Sequence, residues 1–212
     1  MDLILIVIVT GAYLLGSIPS AVWIGKITKG VDVREHGSKN AGATNTMRVL
    51  GVKTGIPVLL IDVFKGFGAV LIASFSNFSG DAFVGLQIGL GAVAVLGHVF
   101  PVFAGFRGGK GVATIVGVLL ALHWQATVVA IAVFLIILFI SKYVSLGSML
   151  MGVSFPVSVI FIFQPETATP PAMKIFSIIV CVLLFVTHRK NISRLIKGTE
   201  NKATFLFRKA RT

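Results

Sequence analysis

Seven apolar runs limit what this chain can fold into: Leu3 to Ile27, Gly55 to Phe75, Phe83 to Ala104, Val112 to Leu122, Ala126 to Ser141, Val144 to Phe163 and Ala172 to Thr187. A helix rises about 1.5 Å per residue and a bilayer core is about 30 Å thick, so roughly 20 residues cross it. Most of the runs approach or exceed that length. The sequence therefore predicts an all-α polytopic membrane protein with about seven transmembrane helices. It forms one integral membrane domain over residues 1–212, with a basic tail from about residue 189. Only 12% of the residues are charged, against about 25% in a soluble domain, which excludes an ordinary water-soluble globule. Val112 to Leu122 is short. It either begins earlier, in the glycine-rich stretch before it, or forms a re-entrant element, which is tolerated at membrane depth only where protein or a wet cavity covers its backbone.

The first run follows Asp2 and no basic segment, so it reads as a retained span and not as a cleaved signal peptide. Cys181 lies alone inside an apolar run, and no intrachain disulfide is possible. Gly85 and Gly89 form a GxxxG pair, read as helix packing, and Pro19, Pro57, Pro101 and Pro156 are expected to kink or start helices.

The net charge of +12 would suggest nucleic acid in a soluble protein, but here it sorts by loop. Every Lys and Arg except Lys65 and Lys174 falls in residues 26–53, residues 105–111, Lys142 or the tail from 189. The loops near Asn77 to Ala82, His123 to Gln125 and Gln164 to Pro171 have none. With seven crossings all basic loops share one side, which the positive-inside rule makes cytoplasmic. The amino terminus is expected outside and the carboxyl terminus inside, with membrane lipids as partners and no nucleic acid.

Three cytoplasmic clusters carry more chemistry than connection requires. Residues 30–51, GVDVREHGSKNAGATNTMRVLG, combine Ser38, Asn40 and Asn45 with Arg48, whose planar fork suits phosphate. The cluster reads as an anion or polyol site, or else as an Asx-rich turn and helix start capped by Ser38 or Asn40. Residues 105–114, GFRGGKGVAT, set Arg107, Gly108, Gly109, Lys110 and Gly111 before an apolar helix, the physical make-up of a phosphate cradle. It is not a Walker A loop, because Gly111 follows Lys110 and Ala104 stands where that motif needs its first glycine. The plainer reading is a flexible basic turn. In HRKNISRLIKGTE, residues 188–200, a continuing helix brings His188, Asn191 and Arg194 to one face. The competing reading is an amphipathic tail held by anionic lipid, the role expected of Lys197, Lys202, Arg208, Lys209 and Arg211. Asp62 and Lys65, at i, i+3 within a span, read as an ion pair bracing the site, while His98 and His123 have no visible partners.

Taken in order, these clusters resemble the bacterial acyl-phosphate:glycerol-3-phosphate acyltransferases, small integral membrane enzymes of phospholipid biosynthesis. The resemblance runs through YLLGSIPSA (13–21), GVDVREHGSKNAGATNTMR (30–48), DVFKG (62–66), LGHVFPVFAGFRGGKGVAT (96–114), YVSLGSM (143–149) and HRKNISRLIKGTE (188–200), nearly the whole chain. It implies acyl transfer from acyl phosphate to the 1-hydroxyl of sn-glycerol 3-phosphate, giving lysophosphatidic acid and phosphate at the cytoplasmic face of the inner membrane. No cofactor and no metal are implied; the partners are the two substrates, with an association with the acyl-phosphate-forming enzyme. By resemblance, Ser38 and Arg48 belong to the first motif, Gly108, Gly109 and Gly111 to a glycerol-phosphate loop, and His188, Asn191 and Glu200 to the third motif, with Glu200 structural. The family usually has glycine where this chain has Lys39 and an acid where it has Lys190.

An acyl phosphate arrives activated, so catalysis needs positioning, a dry channel for the chain and charge stabilisation. The chain has no HxxxxD pair. His188 is a candidate base; in the preferred scheme a substrate phosphate takes the hydroxyl proton, His188 and Asn191 orient the nucleophile, and Ser38, Arg48 and Lys110 hold phosphates. Asn40, Asn45 and Arg107 are expected to contact substrate. A transporter of phosphorylated solutes is the alternative, and the one-sided placement of all three clusters argues against it.

Overall fold

The computed structural model describes residues 3–163 and 170–207, and among these residues it contains helices and no strand. Arg208, Lys209, Arg211 and most of the loop from Gln164 lie outside the described residues. The first run is not one straight span. Helices α1 (Leu3–Gly16) and α2 (Ser20–Lys29) meet at 43° across residues 17–19, where Pro19 supplies no backbone N–H to continue the ladder.

A short helix, α3 (Ala43–Leu50), precedes α4 (Val52–Leu71), which contains Pro57 and runs on as a tight turn to Phe75. The next helix, α5 (Gly80–Val99), ends before Pro101, and α6 (Val112–Leu122) is separated from α7 (Trp124–Ser141) by His123 alone, whose Nδ1 accepts from the Ala126 N–H. After α8 (Val144–Val157), which contains Pro156 and widens into a π turn over Ser158–Ile162, α9 (Pro171–Thr187) returns across the layer. The last helix, α10 (Arg189–Ile196), turns off α9 by 59°. Among the described residues, four helices, with their continuations, are long and apolar enough to cross a membrane, six if each bent pair counts as one crossing, and α6 remains an 11-residue helix.

The helices pack through small residues, as expected where lipid is as apolar as the side chains and close backbone contact has to supply the attraction. At the α4–α6 crossing, a Cβ on Gly66 would run into the Thr114 carbonyl and one on Gly117 into the Val63 carbonyl. At the α1–α5 crossing, Gly16 meets the Ala94 backbone and Gly97 meets Tyr13 and Ser17. Val70, Ile115, Leu119, Phe155 and Leu184 fill the space between α4, α6, α8 and α9. Gly85 and Gly89 depart from the packing expectation: both are exposed and have no neighbour within 4 Å among the described residues.

Replacing Gly117 with Ala is expected to force α4 and α6 apart at a cost of about 2 kcal/mol, the usual penalty for overfilling a packed contact. Gly85→Ala, which meets nothing, should leave the melting temperature in detergent unchanged or slightly raised. Equal melting curves for the two variants would contradict this packing.

Candidate functional site

The three polar clusters, distant in sequence, converge on one cavity of about 590 Å³. Ser38, Asn40 and Arg48 reach it from the first loop and α3, Lys110 from the loop before α6, and His188, Asn191 and Glu200 from α10 and the residues beyond it. The same cavity runs on between apolar side chains of α4, α6 and α7, among them Leu60, Val116, Ile131, Phe134 and Leu135.

Its first wall is built by a loop folded on itself. Asn45 is fully buried and spends its amide on that loop: Oδ1 accepts the Ser38 N–H at 2.8 Å, and Nδ2 donates to the Val33 and His36 carbonyls at 2.8 and 3.1 Å. Asn45 lines the cavity, as do Ser38 and Asn40, and these hydrogen bonds also make it a brace that presents Ser38. Lys39 takes a left-handed backbone, φ 58°, which suits the glycine it replaces in the resembled motif. Lys39 and Lys190 both line the cavity. Arg48 is half-buried and its guanidinium has no hydrogen-bond acceptor among the described residues. Asp32 and Arg34, unremarked in the sequence, pair at 2.7 Å, and Arg34 also donates to the Ala104 carbonyl at 2.8 Å, tying the first loop to the second. The Arg34 hydrogen bonds hold the Asp32 carboxyl down at about 2. The local signal was the i, i+2 acid–base spacing.

The second wall differs from the expected cradle. The Gly108 and Gly109 N–H groups are already donated, to the Val99 and His98 carbonyls at 3.1 and 3.2 Å, so they seal the end of α5 and are not free for an anion. Arg107 is exposed and does not line the cavity; its carbonyl accepts from Arg34. What faces the cavity is Lys110 and the first turn of α6, Gly111 to Ala113, entered through Gly111 at φ 81°. The leading N–H groups of a helix have no intrahelical partner and carry the positive end of its dipole. Burial brings the Lys110 ammonium down to about 8, with the charge of Glu200 partly opposing.

On the third wall, His188 closes α9 and is buried. Its Nδ1 lies 2.7 Å from the Leu184 carbonyl, which can only accept, so Nδ1 carries the proton and Nε2 is left as the basic nitrogen. Burial and the nearby charge of Lys110 lower the ring to about 4, so it is neutral across the physiological range. Asn191 is held at both ends: Oδ1 accepts from Lys110 and Nδ2 donates to Glu200 Oε1 at 2.6 Å. Glu200 also accepts from Ser145 at 2.8 Å and from Arg194 at 2.7 Å, joining α8 to α10. Burial opposes its ionisation, but these hydrogen bonds outweigh that and keep the carboxyl below its usual range.

Asp62 and His98 also line the cavity, and they belong to a buried polar group. Asp62 Oδ1 accepts from Ser20 at 2.7 Å and from Lys65 at 2.9 Å, and Lys65 also donates to the Ile18 carbonyl at 2.9 Å in the break between α1 and α2. His98 Nδ1 stands 3.5 Å from the same carboxylate. The proximity of His98 to Asp62 is not legible in the sequence, because the two lie 36 positions apart on different helices, and among the described residues His98 Nδ1 makes no hydrogen bond.

Comparison with known proteins places this arrangement in context. Residues 6–198 match the family model described as glycerol-3-phosphate acyltransferase. A protein of that name from Fusobacterium nucleatum is 47% identical over 193 residues, covering 91% of this chain and 95% of its own length. One from Chlorobium limicola is 41% identical, covering 96% and 98%. Two crystal structures of PlsY, an integral membrane glycerol 3-phosphate acyltransferase, are each 38% identical. The glycerol 3-phosphate form superposes with a TM-score of 0.80 over 93% of this chain and 94% of that one, and the lysophosphatidic acid form with 0.82 over 96% and 99%.

The Lys110 charge sets a pH limit. Below about 8 the ammonium is present and attracts an anion; above it the charge is lost, so affinity for a phosphate monoester should fall as pH rises from 7 to 9. Titration calorimetry at several pH values checks this, and Lys110→Arg, which stays charged throughout, should flatten the dependence.

Proposed function

Because this chain belongs to the glycerol-3-phosphate acyltransferase family, we propose that it transfers an acyl group from an acyl phosphate to the 1-hydroxyl of sn-glycerol 3-phosphate. One observation carries this reading: a single cavity joins anion-binding groups to an apolar channel, the two chemistries of a phosphorylated headgroup and a fatty chain. The cavity walls belong to an integral membrane protein, so the chain of the donor enters from lipid and the charged acceptor from water. The distribution of Lys and Arg supports a seven-crossing arrangement with the site on the cytoplasmic side of the bacterial inner membrane. The enzyme that forms acyl phosphate is the expected partner.

In the proposed reaction the 1-hydroxyl oxygen bonds to the acyl carbonyl carbon, the bond from that carbon to the phosphate oxygen breaks, and the hydroxyl proton leaves on the departing phosphate. Lysophosphatidic acid and phosphate are the products. Ser38, Arg48, Lys110 and the first turn of α6 hold the phosphates and offset the charge growing on the leaving group. His188 presents Nε2 as an acceptor that orients the hydroxyl. At about 4 the ring is too weak a base to hold the proton through the reaction, which supports delivery to a phosphate. Asn191, fixed between Lys110 and Glu200, sets where the ammonium points. Pre-positioning of this kind supplies most of the barrier reduction an activated donor needs.

Purified protein given palmitoyl phosphate and labelled glycerol 3-phosphate should form lysophosphatidic acid without acyl-CoA or acyl carrier protein; no product from folded protein defeats the proposal, and product from acyl-CoA alone reassigns the donor.

Within that assay, His188→Ala is expected to lower kcat about 100-fold through loss of orientation, and near-normal turnover removes His188 from the chemistry. Arg48→Ala and Lys110→Ala should instead raise the KM for a phosphate substrate about 10-fold or more, each losing charge-assisted hydrogen bonds.

A further inference from the structure

The residues after α10 do not trail away as a lipid-binding tail. Gly198 turns the chain with a left-handed backbone, and the next residues come back to the cavity wall. Glu200 reaches into the site, and Asn201 lines it. Ala203 is fully buried and its N–H donates to the Lys142 carbonyl at 2.8 Å, latching the segment to the turn between α7 and α8. Lys202 lies over the Tyr143 ring with 5.6 Å to its centroid. Phe207 packs against Phe139 with ring centroids 5.6 Å apart and receives the Lys142 ammonium at 3.6 Å. Between these anchors, the Phe205 ring faces the Arg48 guanidinium at 5.5 Å from its centroid.

Arg48 otherwise stands on α3 with no acceptor among the described residues, so Phe205 is the aromatic surface against which its planar fork rests. We propose that residues 200–207 form a strap across the cavity, and that Phe205 is a positioning residue holding the Arg48 guanidinium in its phosphate-binding orientation. The inference rests on the reading of Arg48 as a phosphate ligand. A long arginine side chain gives up rotamer freedom when it grips an anion; a ring that fixes it beforehand removes part of that cost from the binding step. The ring touches no substrate. Its effect is expected in KM, with kcat unaltered.

The test compares Arg48→Ala, Phe205→Leu, Phe205→Tyr and the double variant Arg48→Ala with Phe205→Leu, all in the full chain. Leucine keeps apolar bulk and removes the ring face; tyrosine keeps both. For the substrate whose KM rises in Arg48→Ala, Phe205→Leu should raise KM about fivefold with kcat within a factor of two, and Phe205→Tyr should restore it. In the Arg48→Ala background, Phe205→Leu should add nothing, because the pair acts as one unit. KM does not depend on how much of the sample is folded, so a loss of yield does not blur the result. If Arg48→Ala leaves both KM values unchanged, the phosphate role of Arg48 fails. If it raises one and Phe205→Leu does not, or if the two effects add, Arg48 keeps its role and the positioning role of Phe205 is overturned.

Discussion

A single carboxylate oxygen in the middle of a membrane helix organises the region around the site. Asp62 Oδ1 gathers the Ser20 hydroxyl and the Lys65 ammonium, with the His98 ring just beyond, all of them buried. Asp62 and Lys65 are almost wholly shielded from solvent and hold one another, and removing one partner of a buried ion pair costs about 3–5 kcal/mol. Through Lys65 and Ser20 the group satisfies the broken stretch between α1 and α2; through α5 it holds the strand of chain whose carbonyls, from His98 and Val99, receive the Gly109 and Gly108 N–H groups. Lys110 follows immediately. The position of the cavity's ammonium is thus inherited from an ion pair outside the polar clusters themselves.

The cavity divides its labour by element. Rigid helices α4, α6 and α7 supply the apolar channel, where shape is enough. The polar end is assembled from loop, helix terminus and strap, each tied to another by a hydrogen bond: Arg34 to Ala104, Lys110 to Asn191, Glu200 to Ser145. Charge dominates that end. The Ser38 hydroxyl and the Arg48 guanidinium have no hydrogen-bond partner among the described residues, and both line the cavity.

The sequence was readable where the signal was local. The apolar runs located every long helix, and Ser38, Arg48, Lys110, His188 and Asn191 stood out because polar residues are scarce in such a chain; all five line one cavity. What could not be read was whether a group was already in use. Nothing in the string distinguishes the Gly108 and Gly109 N–H groups, spent on α5, from the first turn of α6, which is open; nor does it show that Asn45, unlike Asn40, spends its amide on bracing the loop. Arg107 and Lys110 are three residues apart, yet the first is exposed and the second lines the cavity, which their spacing alone does not reveal. The strap is illegible for a similar reason: basic composition speaks for lipid, whereas its contact with Arg48 crosses most of the chain.

That strap also bears on the order in which the protein is made. Arg48 is synthesised long before Phe205, and Ser145 well before Glu200, so the cavity cannot be completed until residues 200–207 have been made. Helices inserted earlier must wait with a half-built, unsealed polar end until residues 200–207 arrive. Contacts this distant in sequence close late because their loop-closure entropy must be met first. The membrane helices are therefore made well before the contacts that close the polar end of the cavity can form.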